Sequence, residues 1–115
     1  MSISREKKEF IKKTAPGIHV YTSTYGVGEP IMDIVSRVEG GRYSFSQKKF
    51  CKAVDTLDDD TLRELLEYFD NNDMCLCDVF VEACIPAEDL NDNERKYADI
   101  IMEGNLVTFS DFLDR

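Results

Sequence analysis

The side chains best suited to chemistry in this 115-residue chain are its four cysteines, which can bind metals or act as nucleophiles. Cys75 and Cys77 are separated by one residue, Cys84 follows them, and His19 is the only histidine. Structural zinc sites use cysteine pairs with two to four intervening residues. The stretch around these cysteines is also apolar, where free cysteine behaves as a small hydrophobe. We therefore expect free thiols that pack in the core and no zinc site.

Other candidate catalytic and cofactor patterns are weak. His19 falls on a predicted strand without a nucleophile signature nearby. The pair Gly26-x-Gly28 lacks the third glycine of a dinucleotide-binding loop. The three acids Asp58 to Asp60 are typical of a helix start, where carboxylates stabilise the helix dipole. We expect a protein that is not an enzyme and binds no cofactor.

Charge divides the chain into two unequal halves. Residues 1–54 hold ten Lys/Arg and five Asp/Glu, whereas residues 55–115 hold four Lys/Arg and eighteen Asp/Glu, so the net charges are +5 and −14. A strongly acidic surface repels nucleic acid and membrane phosphates and attracts basic partners. We expect a basic partner protein, with no direct contact to nucleic acid or membrane.

The length of the chain and its N-terminal residues indicate how many domains it has and where in the cell it is found. A chain of 115 residues is one domain or two very small lobes. It contains no apolar run long enough to cross a bilayer, and its first eight residues lack the hydrophobic core of a signal peptide. These features predict a cytoplasmic protein.

Hydrophobic periodicity predicts the elements that would position these groups. Ser4 can cap a helix that ends at Pro16-Gly17, and residues 18–25 are typical of a strand. Helices are predicted over about 31–38, 47–57, 60–69 and 92–103, the stretch 74–85 is ambiguous between strand and helix, and Ser110 can cap a last turn. The predicted fold class is therefore mainly α with very short β-strands.

The C-terminal segment carries the most specific pattern. An apolar helix is followed by Gly104, the apolar residue Val107, and then a hydroxyl residue and Asp111 just before Phe-Leu. In an EF-hand loop, an apolar residue at position 8 is followed by an acid at position 12 and by the exit helix. Val107 and Asp111 fit those two positions.

Two weaker copies of this pattern occur upstream. In the middle segment Asp70 falls at position 1 and Cys77 at position 8, and in the first segment Tyr43 falls at position 8. The three position-8 residues lie 34 and 30 residues apart. Such an interval indicates repeated helix-loop-helix units.

On these residues the chain resembles the calmodulin superfamily, in particular myosin light chains with degenerate EF-hands, most clearly in residues 97–113. The resemblance implies EF-hand-like helix-loop-helix pairs in two lobes, an N-terminal lobe over residues 1–57 and an acidic C-terminal lobe over residues 58–115. Calcium needs six to eight oxygens, including a bidentate acid at position 12. The middle loop has Val81 there and Cys75 in place of the usual glycine. We expect no calcium or magnesium site.

The resemblance also implies a function. Paired EF-hands without metal hold an amphipathic helix in an apolar groove with an acidic border, so we expect a calcium-independent subunit that binds a basic amphipathic helix, such as the neck helix of a myosin. The candidate groove residues are Met74, Met102, Phe109, Phe112 and Leu113. One alternative is an acidic inhibitor that imitates DNA, of the type that phages use against host nucleases, in which carboxylates occupy a basic cleft. Another is a regulatory subunit without a groove.

Overall fold

The computed structural model describes residues 2–25, 47–104 and 108–114. Within these ranges the chain is mainly helical, as predicted, and contains no strand. The elements are α1 (Arg5–Lys13), α2 (Ala15–Tyr25), α3 (Gln47–Thr56), α4 (Asp59–Asn71), α5 (Leu76–Glu82), a 3₁₀ helix (Ala87–Asp89), α6 (Asp92–Met102) and α7 (Phe109–Leu113).

Side-chain caps fix the beginnings of four of these helices. Ser4 and Asp58 accept hydrogen bonds from backbone N–H groups in the first turns of α1 and α4, as the sequence predicts. Asn91 and Glu94 form a reciprocal capping box at the start of α6. Thr108, and not Ser110, caps α7, so the predicted cap lies two residues too late.

The amphipathic helices bury the apolar positions that their periodicity predicts. In α4 one face is completely buried and carries Leu62, Leu65, Leu66 and Phe69. Glu64 and Glu67 on the other face are exposed. The apolar residues of the other helices join the same hydrophobic cluster, which includes residues on both sides of the predicted lobe boundary at residue 57.

The predicted strand over residues 18–25 is wrong, because this stretch belongs to α2. Pro16 does not stop a helix either, since it lies in the first turn of α2, where its missing N–H has no intrahelical partner to lose. Gly17 follows it and lies against α5. A β-carbon at Gly17 would stand 1.8 Å from the carbonyl oxygen of Val79. Close packing against α5 therefore overrides the strand preference of these β-branched residues.

The structure also differs from the prediction for the middle EF-hand-like segment. Cys77, predicted at a strand position, lies inside α5. Asp70 and Asn71 are still helical, and the turn falls on Asn72 and Asp73. The helical backbone over Leu76–Glu82 is incompatible with an extended strand at Cys77. The predicted helix at 31–38 and the position-8 residues Tyr43 and Val107 lie outside the described residues.

No helix in the described part of the chain has both the length and the apolar composition that a bilayer-spanning segment requires.

Candidate functional site

The predicted groove residues are mostly core residues in the structure. Met74 is 1% exposed, Phe109 and Phe112 are fully buried, and Leu113 is 5% exposed, whereas Met102 is 55% exposed. The ring of Phe112 lies 5.2 Å from that of Phe10 in α1. The apolar face of α7 is thus covered by the other helices, and the expected open groove is not formed by these residues.

Asp70, the predicted first ligand of the middle calcium loop, has a different role in the structure. Its carboxylate accepts hydrogen bonds from the backbone N–H groups of Phe109 (2.8 Å) and Ser110 (3.1 Å) and from the hydroxyl of Ser110 (2.8 Å). The same carboxylate therefore joins the end of α4 to the start of α7. Across the described residues, no group of three or more His, Cys, Asp or Glu side chains is placed to hold a metal ion.

The cysteines are free thiols with unequal exposure. Cys51, Cys75 and Cys77 are partly buried, and Cys84 is exposed, so the prediction of core packing is wrong for Cys84. Burial raises the pKa of the Cys51 thiol and that of Cys77. Cys84 lies just after α5 with a φ of 50°, a conformation that non-glycine residues rarely adopt. His19 is exposed on α2.

A pocket of about 470 Å³ opens where the junction of α1 and α2 meets the segment after α5. This volume lies within the range of small-ligand and side-chain sites. Most of its wall is apolar. The residues that line it are Lys13, Pro16, Ala83, Ile85, Pro86 and Asp89. We refer to it as the α2–α5 pocket.

Local backbone features explain how the α2–α5 pocket forms. Gly17 allows the start of α2 to lie directly on the backbone of α5. Ala83 is the C-cap of α5, and the left-handed conformation of Cys84 then turns the chain away from the helix axis. Pro86 precedes the 3₁₀ helix with extended backbone angles. The short segment from Ala83 to Pro86 therefore stands beside α2 as one wall.

Two charged residues, Lys13 and Asp89, are among those that line the pocket. Lys13 Nζ donates hydrogen bonds to Glu94 Oε1 (2.6 Å) and to the carbonyl oxygen of Asp89 (2.7 Å), so its charge is already compensated. Glu82 at the end of α5 and Glu88 and Asp89 in the 3₁₀ helix are exposed. Among the residues that line the pocket, Asp89 carries a carboxylate, and Glu82 and Glu88 are sequence neighbours of lining residues.

Glu94 lies behind Lys13 and is 1% exposed. Its Oε1 also accepts the backbone N–H of Asn91 at 3.0 Å, which completes the capping box of α6. Its Oε2 is buried and has no hydrogen-bond partner among the described residues. A buried carboxylate oxygen without a donor is costly, so this atom is set up to accept one more hydrogen bond.

Sequence reasoning did not find this site. The spacing of Asn91 and Glu94 is that of a capping box and predicts the local role of Glu94. The salt bridge to Lys13 joins residues 81 positions apart, and no local pattern encodes it. The sequence shows the apolar run that ends at Pro86, but it does not predict that this run packs against α2.

Comparison of the chain with protein-family models, with curated proteins and with solved structures finds no match.

Proposed function

We propose that this protein is a non-enzymatic binding subunit that holds a basic amphipathic helix of a partner protein at the α2–α5 pocket, without calcium. The observation that carries the proposal is a mostly apolar pocket with the acidic residue Asp89 in its wall, on a protein of net charge −9. A partner helix of the type that myosin light chains bind has the matching chemistry, because it is apolar on one face and basic on the other.

The apolar part of the contact rests on the pocket wall. Pro16, Ala83, Ile85 and Pro86 present aliphatic surface around a space of about 470 Å³. One leucine- or isoleucine-sized anchor buried there contributes about 1.5–3 kcal/mol. Anchors of this kind dominate helix-in-groove contacts.

The electrostatic part of the contact rests on Glu82, Glu88 and Asp89. All three are exposed; Asp89 lines the pocket, and Glu82 and Glu88 are adjacent in sequence to the lining residues Ala83 and Asp89. Exposed charge pairs contribute little affinity but increase the association rate and favour basic over acidic partners. The apolar anchor therefore supplies affinity and the carboxylates supply selectivity.

A synthetic helix tests the proposal. We would titrate the protein with a leucine–lysine amphipathic peptide of about 18 residues, five helical turns, by isothermal calorimetry with and without calcium. We expect binding with a negative heat-capacity change from apolar burial, unaffected by calcium. Ala83→Arg fills the pocket and adds a like charge, so it should weaken binding by about tenfold or more.

Met102→Arg is the matched control. It makes the same change of charge at an exposed side chain that does not line the pocket. Equal affinity of Met102→Arg and the unmodified protein supports the pocket. A larger loss in Met102→Arg than in Ala83→Arg would instead support the sequence-predicted residue Met102, and absence of peptide binding would refute the proposal.

The DNA-imitating inhibitor has one specific observation in its favour. Asp60, Glu64 and Glu67 follow one another at helical spacing along the exposed face of α4, and none of the three forms an ion pair with a described residue. Four residues of helix advance about 6 Å, so these carboxylates form a rigid acidic row. A protein of this function would protect DNA from a basic nuclease, and Glu64→Gln with Glu67→Gln would abolish the protection.

A further inference from the structure

We infer that Glu94 is a buried receptor for an arginine side chain of the bound segment, reached from the α2–α5 pocket when Lys13 moves aside. The inference deepens the proposed function and rests on it. Lys13 lines the pocket and its Nζ lies 2.6 Å from Glu94 Oε1, so the Glu94 carboxylate adjoins a residue of the pocket wall.

The hydrogen bonding of Glu94 is incomplete in a way that fits a guanidinium. Among the described residues, Oε1 accepts two hydrogen bonds, from Lys13 and Asn91, whereas Oε2 accepts none. A lysine ammonium is a point charge and occupies one oxygen here, but a guanidinium presents parallel N–H groups that reach both oxygens of a carboxylate. The unused Oε2 is thus the acceptor that the second N–H group requires.

A second acceptor stands at the same place. The carbonyl oxygen of Asp89 lies 2.7 Å from Lys13 Nζ and becomes available when Lys13 leaves. A guanidinium has five N–H donors and uses such a convergent set more completely than an ammonium does. The geometry therefore favours arginine over lysine in the bound segment.

The Lys13 side chain can leave the Glu94 carboxylate. Its side chain is 34% exposed, so its ammonium can turn into water while Glu94, which is 1% exposed, stays in place. Glu94 belongs to the capping box and its Oε1 remains bonded to the N–H of Asn91. The buried charge is thus paired before and after binding, first with Lys13 and then with the incoming guanidinium.

Two small molecules test whether Glu94 binds a guanidinium, and the identity of the partner protein is not needed. We would titrate the protein with Nα-acetyl-arginine methylamide and with its citrulline analogue, which has the same shape without the charge, and follow the backbone amides of Asn91 and Glu94 by NMR. The arginine compound should bind about tenfold tighter or more than the citrulline compound, as expected for a charge-assisted hydrogen-bonded pair.

Three variants make the assignment specific. Glu94→Gln keeps the capping box, because glutamine serves at this position as glutamate does, and it should remove the preference for arginine. Asp92→Asn makes the same change of charge at an exposed residue of α6 and should keep the preference. Lys13→Met removes the ammonium that competes for Glu94 and should raise the affinity for the arginine compound.

The outcomes separate the two proposals. Equal binding of the arginine and citrulline compounds, or a preference that survives in Glu94→Gln, would overturn the role of Glu94. If the leucine–lysine helix still binds in that case and Ala83→Arg still weakens it, the proposed function stands without the arginine receptor. Failure of the helix to bind would refute the proposed function, whatever the small probes do.

Discussion

Lys7 in α1 donates a hydrogen bond from Nζ to the backbone carbonyl oxygen of Leu113, 106 residues further along the chain, at 2.9 Å. Leu113 is the last residue of α7, where carbonyl groups lack helical partners and a cation is favoured. Asp70 accepts hydrogen bonds from N–H groups at the other end of α7. A helix of only five residues is therefore held at both ends by charged side chains from α1 and α4.

Asp70→Asn should destabilise the protein by releasing the start of α7. The carboxylate accepts three hydrogen bonds from Phe109 and Ser110, and an amide oxygen replaces only part of them. Loss of charge-assisted capping bonds should lower the free energy of unfolding by about 1–2 kcal/mol. Urea denaturation measures the change. Glu67→Gln, an exposed substitution on the same helix, should leave it nearly unchanged, and equal effects of both would show that the Asp70 contacts are unimportant.

Lys7→Met should destabilise the opposite end of α7. Methionine keeps the apolar length of the side chain but leaves the Leu113 carbonyl without its donor and removes the ammonium 5.9 Å from the Phe112 ring. We expect a loss of about 1–2 kcal/mol in urea denaturation. Lys96→Met, at an exposed position of α6, is the control. A gain in stability in Lys7→Met would show that desolvation, which also lowers the pKa of Lys7, costs more than the hydrogen bond contributes.

The features that the sequence predicted correctly are those that depend on interactions within a single helix. Ser4, Asp58 and the apolar stripe of α4 depend on residues within a few positions, and each lies as expected. The failures at Ile18 and Cys77 arise where helices approach closely at Gly17, because a contact between α2 and α5 overrides local preference. The contacts of Asp70, Lys7 and Glu94 span 39 to 106 residues and leave no local signal.

The contact of Gly17 with Val79 predicts that Gly17→Ala is strongly destabilising. The added methyl would meet backbone atoms of α5 at 1.8 Å, and backbone cannot move aside as a flexible side chain can. We expect a loss of about 3 kcal/mol or more in the free energy of unfolding. Because α2 would have to move away from α5, the substitution should also weaken peptide binding at the α2–α5 pocket.

Gly104→Ala is the matched control, because its destabilisation has a different physical cause. Gly104 has a φ of 81°, and no atom of the described residues lies within 4 Å of an added β-carbon. Only the left-handed conformation is then unfavourable for alanine, at a cost of about 1–2 kcal/mol. A smaller loss for Gly17→Ala than for Gly104→Ala in thermal or urea unfolding would contradict the close approach of α2 and α5.

Asp59 predicts part of the acid sensitivity of the protein. The backbone N–H of Ile3, and then Lys8, hold the pKa of the Asp59 carboxyl below its ordinary value. A carboxyl with a lowered pKa in the folded state contributes stability that is present above its ordinary pKa and is lost as the pH falls through the folded pKa. Asp59→Asn should therefore be less stable than the unmodified protein at neutral pH. The difference should shrink below about pH 4. Urea midpoints from neutral to strongly acidic pH measure it, with Asp60→Asn as the exposed neighbour, and a difference independent of pH would contradict this account.

Cys84 should be the most reactive of the four thiols in the native protein, because it is exposed whereas burial raises the pKa of Cys51 and of Cys77. Titration with a chromogenic disulfide should show one fast thiol that disappears in Cys84→Ser, and all four reacting together in urea.

Cys84 lies between Ala83 and Ile85 of the pocket wall, so a bulky label on it should obstruct the α2–α5 pocket. The labelled protein should bind the leucine–lysine helix more weakly, and excess helix should in turn slow the labelling. Unchanged labelling in the presence of saturating helix would place the bound peptide elsewhere on the protein.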